Sequence, residues 1–393
     1  MTWAIFSAVA NEMSPSGCSA YTYAQYSFKP YARAPFYQMS EQLIDNATIN
    51  GGTHPAFPFL TGHGGSNQVV LFGYLGLRLL PDDILHVDPN LPPQIPYLKY
   101  RTFYWRGWPI SAWSNYTHTT LTRAHTQPLD TADSRFKSSP ITVHAGPEAN
   151  STSYSLPTQG QLVIPNRQIG SVNTISGNLV QCQPIQSTDT FEPGQFPISA
   201  NDGATSTKWQ PSLASNLSAV TVLLESELGQ MISGFKFDWA QAPPVNATVI
   251  FHNKTLASPA QAYASGSSGD YQVISALHDI KVSNPYQPGT TNLDTIAIPI
   301  GNTTNVTLSH PVPAARYASL LIVGNQALDE ADLKAKNGTG ATVAEWAIIG
   351  QGSDEGASHS PSKRTMNVRA AAKLAGSRSL MERRYKDSVK NGL

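Results

Sequence analysis

The stretch SAVTVLLESELGQMISGFKFDWAQAPPVNATVIFH, residues 218–252, decides the fold class. It contains three apolar runs, SAVTVLLE, QMISGFKFDWA and ATVIFH, rich in β-branched and aromatic residues and separated by Gly and Pro. Runs of this length and composition read as strands. Further along the chain, YQVISAL, TIAIPI, NVTLSH, YASLLIVG and TVAEWAIIG continue the series. Eight strands at this spacing between residues 201 and 350 predict an antiparallel β-sandwich.

Toward the N-terminus the pattern holds to about residue 85. LKYRTFYWRGWPISAWSNYTHTTLT alternates aromatic and polar residues around a turn at Gly107, and ITVHA and GQLVIP add short strands among long loops. Residues 85–200 are therefore expected to be a second β-rich domain. Residues 1–84 differ. MTWAIFSAVANEM places Ile5, Val9 and Met13 on one helical face, with Trp3 and Phe6 close to it. SEQLIDNAT is a short helical candidate with Ser40 as its N-cap, and QVVLFGYLGLRLL has helical spacing before the stop PDD. Residues 351–393 turn polar and basic, as a solvated tail or short surface helix does. No internal repeat is present.

Composition narrows the function. Only 13% of the 393 residues are charged and the formal net charge is zero, so no global field draws the chain to nucleic acid or anionic membrane. No apolar run reaches 18 residues, so no membrane span is expected. Two cysteines, Cys18 and Cys182, make either one bridge or two buried thiols and fit no zinc spacing. Asn-X-Ser/Thr occurs at Asn46, Asn115, Asn150, Asn216, Asn246, Asn253, Asn302, Asn305 and Asn337, about twice the number that chance placement would give. With so few charges and so many strands, this reads as a secreted glycoprotein. The apolar start MTWAIFSAVA lacks the basic residues and cleavage site of a leader, so the true N-terminus is expected upstream.

The most pointed loop is GGTHPAFPFLTGHGG, residues 51–65, which sets His54 and His63 among glycines and prolines ahead of an apolar helix. Glycines let backbone amides approach a ligand, and imidazoles donate to or accept from sugar hydroxyls. As a metal site it is poor, because nine residues separate the histidines and no third ligand is near. Glu41 and Asp45 would share a face if residues 40–48 were helical. Aromatic density over 21–37 and 97–113, including Trp105, Trp108 and Trp113, suits either a core or a sugar surface. There is no Ser-His-Asp pattern and no phosphate loop.

MTWAIFSAVANEMSPSGCSAYTY, RAPFYQMSEQ, GGTHPAFPFLTGHGGSNQVVLFGYLGLRLL and YWRGWPI closely resemble the C-terminal part of the fungal acid trehalases of glycoside hydrolase family 65. DGATSTKWQP and GFKFDWAQAPP resemble discoidin-like, galactose-binding-like sandwiches. The family resemblance implies that residues 1–84 are the last helices of an (α/α)6 catalytic barrel, followed by β domains. It implies hydrolysis of α,α-trehalose to two glucose molecules with inversion, without a cofactor, with trehalose as the small-molecule partner. It places the catalytic acid and base upstream, so no residue here is assigned either role. His54 stands where related phosphorylases contribute to the phosphate pocket. The following residues 57–65 depart from the phosphorylase pattern, which favours water as the attacking group. His54, His63, Glu41 and Arg33 are the substrate-shell candidates. The competing reading is a non-catalytic, secreted carbohydrate-binding or structural sandwich.

Overall fold

The apolar runs that open the sequence argument lie in strands. The computed structural model describes residues 2–167, 173–224, 227–267, 269–280, 302–328 and 338–352. Residues 1–357 cluster as one unit, and the basic tail lies outside the described residues. The described part is mainly β with a few short helices.

The N-terminal segment begins with α1 (Thr2–Met13) and α2 (Ser19–Phe28), followed by the short strands β1 (Ala32–Arg33) and β2 (Gln38–Met39). Next come α3 (Leu60–Gln68) and a single π-helical turn, Val69–Tyr74. The expected helix at 40–48 does not form. These residues make bends and turns, because the Ser40 hydroxyl donates to Asp45 at 2.5 Å and accepts from the Gln42 amide at 3.3 Å, two residues on, which closes a tight turn rather than opening a helix. α1 turns the face of Ile5, Val9 and Met13 outward. Its buried residues are Ala4, Ser7 and Asn11, whereas Ile5, Phe6 and Val9 are nearly half exposed and Met13 is 77% exposed. The small face packs inward because Ser7 donates to the Ala20 carbonyl, and Asn11 donates to the Gly73 and Asn90 carbonyls.

The middle segment holds β3 (Leu85–Val87), β4 (Tyr97–Lys99), β5 (Phe103–Trp105), β6 (Trp108–Asn115), β7 (His118–Arg123), β8 (Ile141–Ala145), β9 (Thr152–Leu156) and β10 (Gln161–Pro165). One sheet runs β10-β7-β6-β4 with β5 also on β6; a second runs β3-β8-β9, in which β3 and β8 are parallel. Trp105 pairs with Trp108 across a two-residue turn, Arg106 and Gly107, both at positive φ. That is the turn geometry a twisted hairpin requires. Ile110, Leu121, Ile141, Val143, Leu156 and Ile164 are fully buried and share one core with Ala4, Val69, Tyr74 and Leu75. The helices therefore borrow the β core to cover their inner faces.

The third segment contains β11 (Ile185–Gln186), β12 (Ser218–Leu223), β13 (Met231–Asp238), β14 (Asn246–His252), α4 (Pro259–Ala264), β15 (Gln272–Leu277), β16 (Thr303–Pro313), β17 (Tyr317–Val323) and β18 (Glu345–Gly350). Two antiparallel sheets, β11-β12-β17-β14-β15 and β16-β13-β18, enclose a core of Val220, Val222, Phe235, Phe237, Val249, Leu320, Trp346 and Ile348. On the outer face, Ala219, Ile250 and Leu321 are buried with Ala260 of α4. This explains why these strands read as continuous apolar runs rather than clean alternation. Seven of the eight expected strands are present; TIAIPI, at 295–300, lies outside the described residues.

Cys18 and Cys182 are joined as a disulfide, closing a separation of 164 residues between the start of α2 and the chain ahead of β11. Tyr23 and Tyr26 of α2 reinforce the join through Ser206 at 2.6 Å and Ser199 at 3.2 Å.

Candidate functional site

The loop of residues 51–65 is held from below by β2. Met39 accepts from the Phe59 amide at 2.7 Å and donates its own amide to His63 Nε2 at 2.9 Å. The His63 ring is thus an acceptor at Nε2 and serves to seat α3 against the strand. Glu41 reaches across to the other limb. Its Oε2 accepts from the Ala56 amide at 3.0 Å, and its amide donates to the Ala56 carbonyl at 3.1 Å. Gly51 and Gly52 both take positive φ, with nothing near their missing Cβ atoms, so they set the outward swing of the loop.

Arg33 holds the base of this construction. Nε donates to Asp45 at 2.5 Å, Nη1 to the Pro30 carbonyl at 2.8 Å, and Nη2 to the carbonyls of Gln42 and Leu43 at 2.8 and 3.0 Å. The guanidinium, and then the Ser40 hydroxyl, hold the Asp45 carboxyl below the usual carboxylate range. The structure therefore brings the four candidates into one neighbourhood but gives them unequal freedom. Arg33, Glu41 and His63 are committed to the loop itself. His54 is exposed and, among the described residues, has no hydrogen-bond partner, so its imidazole is available to a ligand.

The sequons separate by accessibility. Asn46, Asn150, Asn216, Asn253 and Asn305 are exposed, and Asn115 and Asn246 are half-buried. Asn302 is 1% exposed and its Nδ2 donates to the Ala240 carbonyl at 2.8 Å. With the side chain sealed in this way there is no room for a sugar on that nitrogen without opening the fold, so Asn302 is a poor glycosylation candidate. Asn337 lies outside the described residues.

Sequence reasoning missed a buried acidic pair. Asp202 and Glu345 are 1% and 2% exposed. Asp202 accepts from the Ala204 amide at 2.9 Å and from Thr207 Oγ1 at 2.8 Å, and the Glu345 carboxyl interacts with it. Burial pushes the Asp202 carboxyl up to about 7, and burial together with the Asp202 charge raises Glu345 well above its ordinary value. The residues are 143 positions apart, so no local pattern announces them. Sealed from solvent, they are out of a substrate's reach. Among the described residues no group of three or more His, Cys, Asp or Glu could hold a metal ion.

The profile of the glycosyl hydrolase family 65 C-terminal domain matches residues 77–132, which span β3 to β7. The chain is similar to the acid trehalase of Emericella nidulans, 62% identical over 89% of this chain and 33% of that protein. It is similar to the cell wall acid trehalase of Arthroderma benhamiae, 61% identical over 89% of this chain and 34% of that protein. The chain thus spans about a third of the length of these relatives. Among solved structures, chitosan-binding module 1 of a Paenibacillus chitosanase/glucanase aligns with 45% of this chain and all of its own length, at 14% identity and a TM-score of 0.31.

Proposed function

We propose that the chain is a member of glycoside hydrolase family 65, a counterpart of the C-terminal part of fungal acid trehalases, and that it is part of an enzyme that hydrolyses α,α-trehalose to two glucose molecules with inversion. In this reading residues 1–84 supply the last helices of an (α/α)6 catalytic barrel. Residues 85–200 form a β-rich domain behind it, residues 201–350 a discoidin-like, galactose-binding-like sandwich, and residues 351–393 a polar tail.

One observation carries the reading. α1 turns Ile5, Phe6, Val9 and Met13 outward, and Leu79 and Leu80 beyond the π-helical turn are exposed as well. A soluble fold rarely leaves so many large apolar side chains on one helix uncovered. A helix that buries small residues on one side and presents large apolar ones on the other is built to sit between two layers, and one layer is already described. The preceding helices of a barrel are the proposed second layer. The acid and base would come from that layer too, roughly 6.5–9.5 Å apart with room for the attacking water. His54 would reach a glucose hydroxyl or that water from the loop, on a base fixed by His63, Glu41 and Arg33. Relatives named as cell wall or secreted trehalases, together with the accessible sequons, support a secreted or cell-wall location.

Glucose release from trehalose tests the proposal. The purified 393-residue chain should show no measurable activity, and the same chain joined behind the preceding two thirds of the Emericella relative should be active. Losing an acid and a base should cost about 100- to 10,000-fold for each role. Robust hydrolysis by the chain alone would refute the assignment.

A further inference from the structure

The outer face of the middle sheet carries a pair of aromatic rings that neither core nor loop explains. Tyr97 on β4 and Trp113 on β6 stack with ring centroids 5.7 Å apart and planes 29° from parallel. They are 55% and 37% exposed. The opposite face of β6 sends Ile110, Ala112 and Ser114 into the core, so the pair is not a displaced part of it. The strand register then places a third residue beside both rings. Asn115 is directly opposite Tyr97 across the β4–β6 pair, and it is two positions from Trp113 on the same strand. Opposed and alternate residues share a face, with Cβ atoms about 4.5–5.5 Å apart across the pair.

Asn115 opens the sequon Asn115-Tyr116-Thr117 at the end of β6. Its Oδ1 accepts from the Thr117 and His118 amides, both at 2.8 Å, and from Thr117 Oγ1 at 3.1 Å. None of these bonds uses Nδ2, the atom to which a sugar is joined. They also fix the carboxamide plane, so the direction in which Nδ2 leaves the strand is set by the fold.

We propose that Asn115 is an N-glycosylation site and that the first N-acetylglucosamine residues of its glycan lie across Tyr97 and Trp113. Sugar rings present faces of C–H groups, and aromatic faces carry the negative part of the ring quadrupole, so the two pack together and both lose contact with water. The platform would be formed by the fold and filled by the chain's own modification. The proposal rests on the reading that the chain passes through a secretory route.

The test compares the wild-type chain with Tyr97→Ala and Trp113→Leu, all secreted from a glycosylating yeast. Site occupancy is read by glycopeptide mass spectrometry. Release of each glycan from the folded protein by an endoglycosidase that cuts within the core is then timed, with the exposed Asn216 and Asn253 as internal references. We expect Asn115 to be occupied and its glycan released about three- to tenfold more slowly than in either variant, the range expected for one aromatic contact. Release at Asn216 and Asn253 should be unchanged, which also reports that each variant is folded. Tyr97→Ala tests the idea even where Trp113→Leu fails to fold. An empty Asn115 beside filled reference sites, or equal release rates in all folded proteins, overturns the proposal. A chain empty at every sequon overturns it together with the secretory reading.

Discussion

Glu345→Gln is predicted to remove much of the pH dependence of this protein's stability. Asp202 and Glu345 cannot both carry charge in a site closed to water, so the folded state retains a proton that the unfolded chain gives up. For an acid whose folded pKa lies above its unfolded value, stability is fully present below the unfolded value near 3.8. It is lost as the pH rises through the folded value of about 7. The rise at Asp202 corresponds to a contribution on the order of 4 kcal/mol, to which the raised Glu345 adds in the same sense. For a unit of this size each 1 kcal/mol moves the melting temperature by only about 1–2 °C. Burial raises Asp189 and Glu192 in the same sense. His252 opposes them in acid, because burial disfavours its charged form. Thermal melts of wild type and Glu345→Gln between pH 4.5 and 8, in chelator, measure the effect. The wild type should melt lower as the pH rises and the variant should be flatter, with its advantage greatest at pH 8. A wild-type melting temperature that rises across this range, or a variant that parallels it, would refute the reasoning.

Three further outcomes are expected. Gly76→Ala should destabilise by at least about 3 kcal/mol in urea unfolding, since Gly76 has a φ of +63° and a Cβ there would run into the Asp88 backbone. Arg167→Ala should cost about 2–3 kcal/mol, because its guanidinium binds Asp88 at 2.8 Å and the carbonyls of Asn11 and Glu12 at the end of α1. Hydrogen exchange should then rise first in α1. Reducing the Cys18–Cys182 disulfide should lower stability by about 2–5 kcal/mol, the range for a bridge closing a long loop, and a denaturation midpoint unchanged by reductant would contradict this.

The sequence by itself determined the β character of the described residues between 85 and 350, because strand formation there rests on apolar runs broken by Gly and Pro, and both are local. It also placed α1, whose spacing is local too. It did not determine which face of α1 is buried. Spacing put Ile5, Val9 and Met13 on one face without saying what covers it, and the fold buries Ala4, Ser7 and Asn11, since only small or hydrogen-bonding side chains fit where α1 meets α2 and the π-helical turn. At residues 40–48 the helical pattern lost to Arg33, whose five donors draw the Gln42 and Leu43 carbonyls and the Asp45 carboxylate into a loop. His54 and His63 were both legible as loop histidines. Only the tertiary structure separated them, by bringing the Met39 amide to His63 and leaving His54 open. Asn302 matches its sequon as well as Asn115 does, yet burial closes one and register places the other beside two aromatic rings. Asp202 and Glu345 carry no local sign at all, because their interaction exists only where β18 returns beside the 202–207 turn. Propensity and periodicity act over a few residues and can be read in order along the chain. Burial, register and charge pairing depend on which distant residues arrive at the same place, and the fold alone decides that.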